Sequence, residues 1–136
     1  MKLRLLLMAM LLCVGMTLQA QTLTSEQIEA LKAVKVRSER KAAPLALRLA
    51  ATARKIYDNM LADREDQALR RKLEGELERI AGKLLAIKGQ SIREMVSVLT
   101  PEQKKLLKTE MRRPGAPADL SELIAKLFAP KTSKDK

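Results

Sequence analysis

The chain has 136 residues, with 27 Lys and Arg against 16 Asp and Glu, a formal net charge of +11 and no His. It contains one Tyr, one Phe and no Trp, and Ala, Leu, Lys, Arg and Glu dominate it, a composition typical of an all-α protein with an aliphatic core. Without His, and with Cys13 alone, most nucleophile and base pairs and the usual zinc and copper sites are excluded. We therefore predict that the protein is not an enzyme and uses no cofactor.

Residues 1–20 have the pattern of a secretory signal peptide: basic residues, then an apolar run over residues 5–18, then a cleavage-like end. A membrane anchor is the alternative, but the run is shorter than the roughly 20 residues that a spanning helix needs. Cys13 lies inside the run, which does not fit a lipid-attachment site. We predict cleavage near Ala20, export to the periplasm and no stable membrane insertion afterwards.

Removal of residues 1–20 leaves a basic chain without Cys, so no disulfide would hold it together. In a cytosolic protein this charge would indicate nucleic-acid binding. Export instead favours acidic protein surfaces or anionic lipid as partners, and we predict no nucleic-acid partner.

The first helix is predicted from its capping residues. In the segment TLTSEQ, Thr24 can cap the first turn and Gln27 can reach back to the amide of Thr24, which makes a capping box. We expect the helix to run to about Ala43 and to become basic towards its end. Pro44 is expected to break or kink it, because proline lacks the N–H and biases the preceding residue away from helix.

A second helix is predicted over residues 44–61. Its apolar positions at helical spacing are Leu45, Leu49, Ala53, Ile56 and Met60. We expect Asp58, Asn59 and Asp63 to form the turn and caps that follow.

A long third helix is predicted over residues 64–98. Its apolar stripe begins at Leu69 and widens in the second half to include Leu85. Small residues recur at seven-residue intervals on the opposite face: Ala68, Gly75, Gly82 and Gly89. Because glycine is unfavourable inside a helix, this line either lets another chain approach closely or consists of tolerated surface glycines.

The segment VLTPEQKKLL, residues 98–107, repeats the first capping pattern. Thr100 and Gln103 form the second predicted box, and Pro101 suits the first helical position. We expect this fourth helix to end near Met111.

A linker rich in Pro and Gly follows, and Asp119 is predicted to cap a short amphipathic helix that ends near Phe128. Its apolar face either packs on its own domain or covers the binding face like a bound client. Residues 129–136 are expected to be a basic, disordered tail.

The two LTxxQ copies consist of Leu23, Thr24 and Gln27 and of Leu99, Thr100 and Gln103. With them, the chain resembles the LTxxQ-motif family of periplasmic stress proteins (Spy/CpxP-like). The resemblance covers residues 21–113, whereas residues 114–136 depart from the family. It implies a long curved helical hairpin of about four helices, here with a short C-terminal helix added, that pairs as an antiparallel, cradle-shaped homodimer. The motif residues would frame the cradle.

The resemblance further implies an ATP-independent chaperone of the envelope stress response that binds unfolded or misfolded proteins on a basic, partly apolar concave face. Our candidates for client binding are Arg37, Arg40, Lys41, Arg48 and Lys55. One alternative is a signalling adaptor that docks on the sensor domain of an envelope kinase, and another is a cationic protein that binds anionic lipid or cell-wall polymer. Metal-sensing relatives use His- or Met-containing sites, and with no His and three Met after processing we predict no metal site.

Overall fold

The computed structural model describes residues 22–128, so the predicted signal peptide and the basic tail lie outside the described residues. Within that range the chain forms helices and no strands, which confirms the all-α class. The helices are α1 (Ser25–Met60), α2 (Gln67–Val98), α3 (Pro101–Met111) and α4 (Leu120–Phe128).

The chain divides into two compact units. The hairpin unit is Lys32–Glu94, and the LTxxQ unit comprises residues 22–31 and 95–128 of the described chain. The first contains most of α1 and α2, and the second contains the two motif copies with α3 and α4.

Pro44 does not end the first helix, so the boundary predicted at residues 43 and 44 was wrong. Helix α1 continues through Pro44 to Met60, and the two helices predicted there are one. A proline inside a helix removes the amide that would bond to the carbonyl four residues earlier, that of Arg40. Both residues are exposed, so solvent can hydrate that carbonyl, and burial of Val34 and Ile56 on either side of the proline favours the helical path.

Within the hairpin unit, α1 and α2 run antiparallel, because Arg48 pairs with Glu76 and Arg37 with Glu94. A narrow seam of buried side chains lies between the helices: Val34, Thr52, Ile56, Asn59, Leu73, Ile80 and Ser91. Three members of this seam are polar, which limits how much apolar surface the unit buries.

The turn between α1 and α2 is closed by Asn59, one of the residues predicted for it, whereas the cap of the next helix is Asp66 and not the predicted Asp63. The Asn59 side-chain amide donates to the Asp66 carbonyl at 2.9 Å, and its oxygen accepts from the Asp66 amide at 3.1 Å. The Asp66 carboxylate then accepts from the amide of Leu69 at 3.0 Å and caps α2. Helix α2 therefore begins at Gln67, slightly later than predicted.

Three side chains assigned to the apolar stripes are exposed: Met60 by 58%, Leu69 by 41% and Leu85 by 73%. Met60 and Leu69 lie at the turn end of the hairpin, where each helix begins or ends and leaves its neighbour uncovered. Leu85 lies off the seam, since two packed helices cover only a narrow stripe of each other.

The glycine line of α2 faces open space in the described chain. A Cβ atom at Gly75 or Gly82 would meet nothing within 4 Å, and one at Gly89 would meet only the Arg93 guanidinium at 3.8 Å. The hairpin unit therefore needs none of these glycines for its own packing.

In the LTxxQ unit, α4 packs against α3, as the first of the two interpretations of this helix expects. Its buried side chains are Leu123, Ile124 and Phe128, and Leu107 of α3 is also buried. The Asp119 side chain accepts from the amide of Ser121 at 2.8 Å and caps α4, as predicted. In the linker, Gly115 has a φ of 78°, a conformation that favours glycine.

Candidate functional site

Both copies of the LTxxQ motif form complete capping boxes. The amide of Gln103 donates to the Thr100 hydroxyl at 3.2 Å, and the amide of Thr100 donates to the Gln103 side-chain oxygen at 2.9 Å. In the first copy the corresponding distances are 3.1 Å from the Gln27 amide to Thr24 and 3.0 Å in return. The two boxes predicted from sequence are confirmed.

The motif glutamines also bond across from one copy to the other, which sequence analysis did not predict. Each side-chain oxygen caps its own helix, and each side-chain NH₂ group reaches the other copy. Gln27 Nε2 donates to the Gln103 side-chain oxygen at 2.7 Å and to the Val98 carbonyl at 3.0 Å. Gln103 Nε2 donates to the Gln27 oxygen at 3.3 Å and to the Thr22 carbonyl at 3.2 Å.

The exchange is nearly symmetric, because Thr22 and Val98 each lie two positions before the capping threonine of their own copy. Gln103 is 2% exposed and Leu99 4% exposed, so the second copy forms part of the core of the LTxxQ unit. These residues carry hydrogen bonds and apolar packing rather than a reactive group. The LTxxQ motif therefore stabilises the fold of this unit.

Two of the five predicted client-binding cations are held in ion pairs within the hairpin unit. Arg48 donates through Nε at 3.0 Å and through Nη2 at 2.7 Å to one carboxylate oxygen of Glu76. These hydrogen bonds lower the pKa of Glu76, partial burial opposes the shift, and the charges of Arg48, Lys55 and Arg79 add to it. Arg48 thus has a structural role in joining α1 to α2.

Arg37 has the same role nearer the other end of the unit, where it donates to the carboxylate of Glu94. The side-chain amide of Gln90 also donates to Glu94, at 3.1 Å. The hydrogen bond from Arg37 and then that from Gln90 lower the pKa of Glu94, so this carboxylate is charged at neutral pH.

The other three predicted cations, Arg40, Lys41 and Lys55, are exposed on α1. Among the residues that the structure describes, none of the three has a carboxylate partner at ion-pair distance. They differ in direction, since Arg40 lies on the side of α1 that faces away from α2, whereas Lys41 lies beside the seam. Of the five residues of the predicted basic surface, two arginines therefore join the helices and three cations are open to solvent.

The outer face of α1, opposite the seam, carries exposed apolar side chains that sequence analysis did not select. We define it by Val36, Leu47, Tyr57 and Leu61, which are exposed by 50%, 74%, 62% and 84%. Between them the segment AAPLALRLAATA, residues 42–53, has Ala or Leu on every side of the helix. A segment with apolar residues on every side of a helix is the sequence signal that could have revealed this face. When such a helix packs against one neighbour only, some of those residues must face solvent.

A cleft of about 260 Å³ opens between the two helices of the hairpin unit. It forms where small side chains meet across the seam, with Ser38 on α1 and Ala86 and Ser91 on α2. The remaining lining residues are Val34, Arg37, Lys41, Ile87, Gln90 and Glu94. This cleft combines an aliphatic wall, two cations and one carboxylate.

Across residues 22–128, His, Cys, Asp and Glu side chains nowhere gather in a group of three that could hold a metal ion. Among the described helices, none is both long enough and apolar enough to cross a bilayer. In comparisons with protein-family models, curated proteins and solved structures, the chain matches none of them.

Proposed function

We propose that the protein is an ATP-independent chaperone of the periplasm that binds unfolded or misfolded envelope proteins through the hairpin unit. The observation that supports this most is the outer face of α1, where large apolar side chains and cations are exposed together. Leu47 is 74% exposed in the middle of this face, and Arg40 lies about two helical turns before it.

This combination suits a chaperone that holds its clients weakly. Exposed apolar side chains offer contacts to the apolar segments that an unfolded chain presents, and each such contact is small. Residues 1–20 contain Lys2 and Arg4 and no acidic residue, so the exported chain has 25 basic and 16 acidic residues, a net charge of +9. This charge attracts acidic chains over a distance of about 10 Å, the screening length at moderate salt. Of the predicted binding residues, Arg40, Lys41 and Lys55 have this role in the proposal, and Arg37 and Arg48 keep their ion pairs.

The proposal is tested by suppression of the aggregation of a chemically denatured model protein, without ATP, across a salt series. We expect protection near equimolar ratios that weakens with salt. Leu47→Ser should reduce protection severalfold, whereas Leu85→Ser should leave it nearly unchanged. Leu85 is the matched control because it is an equally exposed leucine on α2. Equal effects of the two substitutions would contradict the assignment to α1.

The same assay separates the proposal from its alternatives. A signalling adaptor would bind one sensor domain and give no general protection, and a lipid or cell-wall binder would show affinity without any protein partner. Absence of protection at every salt concentration would remove the chaperone proposal.

The proposal includes the homodimer that the LTxxQ resemblance implies. A partner copy would bury part of the apolar surface that the hairpin unit leaves exposed. Sedimentation equilibrium tests it: a species of twice the chain mass supports the dimer, and a monomer at all concentrations removes it.

A further inference from the structure

The cleft of the hairpin unit is lined by small side chains from both α1 and α2. Elsewhere along the seam Ile56, Leu73 and Ile80 fill the space between the helices. At the cleft, two serines and an alanine take the place of such large side chains, which leaves the volume of about 260 Å³. The wall that remains apolar is formed by Val34 and Ile87.

One of the two cations around this cleft lies outside an ion pair. Arg37 and Glu94 neutralise each other, and Gln90 holds the carboxylate from its other side. Lys41 lines the same cleft, is exposed and, among the described residues, has no carboxylate at ion-pair distance, although its charge helps to lower the pKa of Glu94. The cleft therefore has a local net charge of +1 beside an aliphatic wall.

From this arrangement we infer that the cleft binds a glutamate side chain of the client polypeptide. The carboxylate would lie between Lys41 and the outer edge of the Arg37 guanidinium, and its methylene groups would lie against Val34 and Ile87. A monoanion matches the local net charge of +1, whereas Glu94 would repel a phosphate dianion more strongly than a single carboxylate. The inference rests on the proposed function, and it adds a preferred side chain to it.

The test uses two short capped peptides that contain Leu, Ala and Tyr and differ only at one central residue, Glu or Gln. Capping removes the terminal charges, so a free C-terminal carboxylate cannot substitute for the side chain. Titration of the full chain should show the Glu peptide binding about fivefold more tightly than the Gln peptide, the upper range for a partly exposed ion pair. In nuclear magnetic resonance spectra, the Glu peptide should shift the signals of Ser38, Ala86 and Ser91.

Substitutions in the protein test the same interaction from the side of the cleft. Lys41→Gln should abolish the difference between the two peptides, and Arg40→Gln should preserve it, although both remove one positive charge from α1. Ser38→Leu should also abolish the difference, because it fills the cleft without changing its charge. Each position is at least partly exposed, so all three variants should retain the helical circular dichroism spectrum.

Equal binding of the two peptides, or an equal effect of Lys41→Gln and Arg40→Gln, would overturn the inference. Inorganic phosphate that displaces the Glu peptide more strongly than sodium chloride at equal ionic strength would also overturn it. If protection against aggregation persisted in either case, the chaperone proposal would stand without this cleft. Absence of protection by the unsubstituted protein would reject the chaperone proposal itself.

Discussion

The LTxxQ unit and the hairpin unit differ in how many of their large apolar side chains face solvent. In the LTxxQ unit, polar groups are paired in the interior, where Gln103 is 2% exposed and bonds to three other residues. In the hairpin unit, three of the seven seam side chains are polar, and many large apolar ones face solvent. Of the eight large apolar side chains that are exposed in residues 22–128, seven belong to the hairpin unit and only Met111 to the LTxxQ unit.

The residues that resemble the LTxxQ family lie in one unit, and the residues proposed to bind clients lie in the other. The repeated motif explains how the LTxxQ unit is held together, since each glutamine caps one helix and bonds to the other copy. The surface proposed for binding lies in a segment without a motif. Substitutions in the two units should therefore have different consequences, mainly for stability in one and mainly for client binding in the other.

The largest expected effect comes from Gln103→Leu in the LTxxQ unit. Leucine is similar in size but cannot replace the capping bond or the bonds to Thr22 and Gln27. We expect the free energy of unfolding to fall by about 3 kcal/mol, because several buried polar groups lose their partner. Urea denaturation measures it, with Gln67→Leu as the exposed control, expected to change stability by less than about 0.5 kcal/mol. Equal effects of the two substitutions would show that the exchange between copies contributes nothing.

A smaller effect is expected from Asn59→Ala in the hairpin unit. This substitution removes both hydrogen bonds that close the turn onto Asp66, and we expect a loss of about 2 kcal/mol in urea denaturation. Asp63→Ala is the control in the same turn, since Asp63 has no hydrogen-bond partner among the described residues. A loss of stability with Asp63→Ala and not with Asn59→Ala would contradict the assignment of the turn to Asn59 and Asp66.

The combined substitution of Gly75 and Gly82 by Ala is expected to increase the stability of the protein. Both positions are helical and open, so we expect each alanine to stabilise the protein by up to about 1 kcal/mol through helix propensity. Thermal denaturation measures this gain, and Gly89→Ala can be added for the whole line. Unchanged association and client binding would identify these residues as tolerated surface glycines. Lost association would instead support close approach of another chain.

The smallest effect concerns the two ion pairs of the hairpin unit. The folded-state pKa values of Glu76 and Glu94 are lowered, so each pair stabilises the fold above the ordinary glutamate value of 4.5, and this contribution is lost as pH falls through the lowered pKa. In the double variant Glu76→Gln and Glu94→Gln, the free energy of unfolding should fall less steeply with acidification. An unchanged slope in urea denaturation at successive pH values would contradict the assignment. Added salt should reduce the difference, because both pairs are partly exposed.

Local sequence signals predicted three of the four helix starts in the described chain. Thr24, Thr100 and Asp119 cap the helices they were assigned to, and α3 has the predicted bounds, because these interactions join residues within four positions of one another. Pro44 was misjudged because its local preference against helix was weighed without the packing on both sides of it. Local preference is small compared with the burial that follows on either side.

The ion pairs of Arg37 and Arg48 could not be predicted in the same way. Each partner lies on α2, at a sequence separation that depends on where the turn begins and on the register of the two helices. Once Asn59 and Asp66 fix the turn, Arg48 falls opposite Glu76 and Arg37 near Glu94. From composition and spacing alone, we predicted that these arginines would be available to bind clients. In the structure, both form ion pairs between α1 and α2.

The most direct test of the account is photo-crosslinking of a denatured client to the protein. A photoreactive amino acid would replace Leu47 on the outer face of α1 in one sample and Lys104, exposed on α3 of the LTxxQ unit, in another. If the hairpin unit binds clients, we expect strong crosslinks from position 47, weaker ones at high salt, and few from position 104. Equal crosslinking at both positions, or crosslinks from position 104 alone, would contradict the assignment of client binding to the hairpin unit.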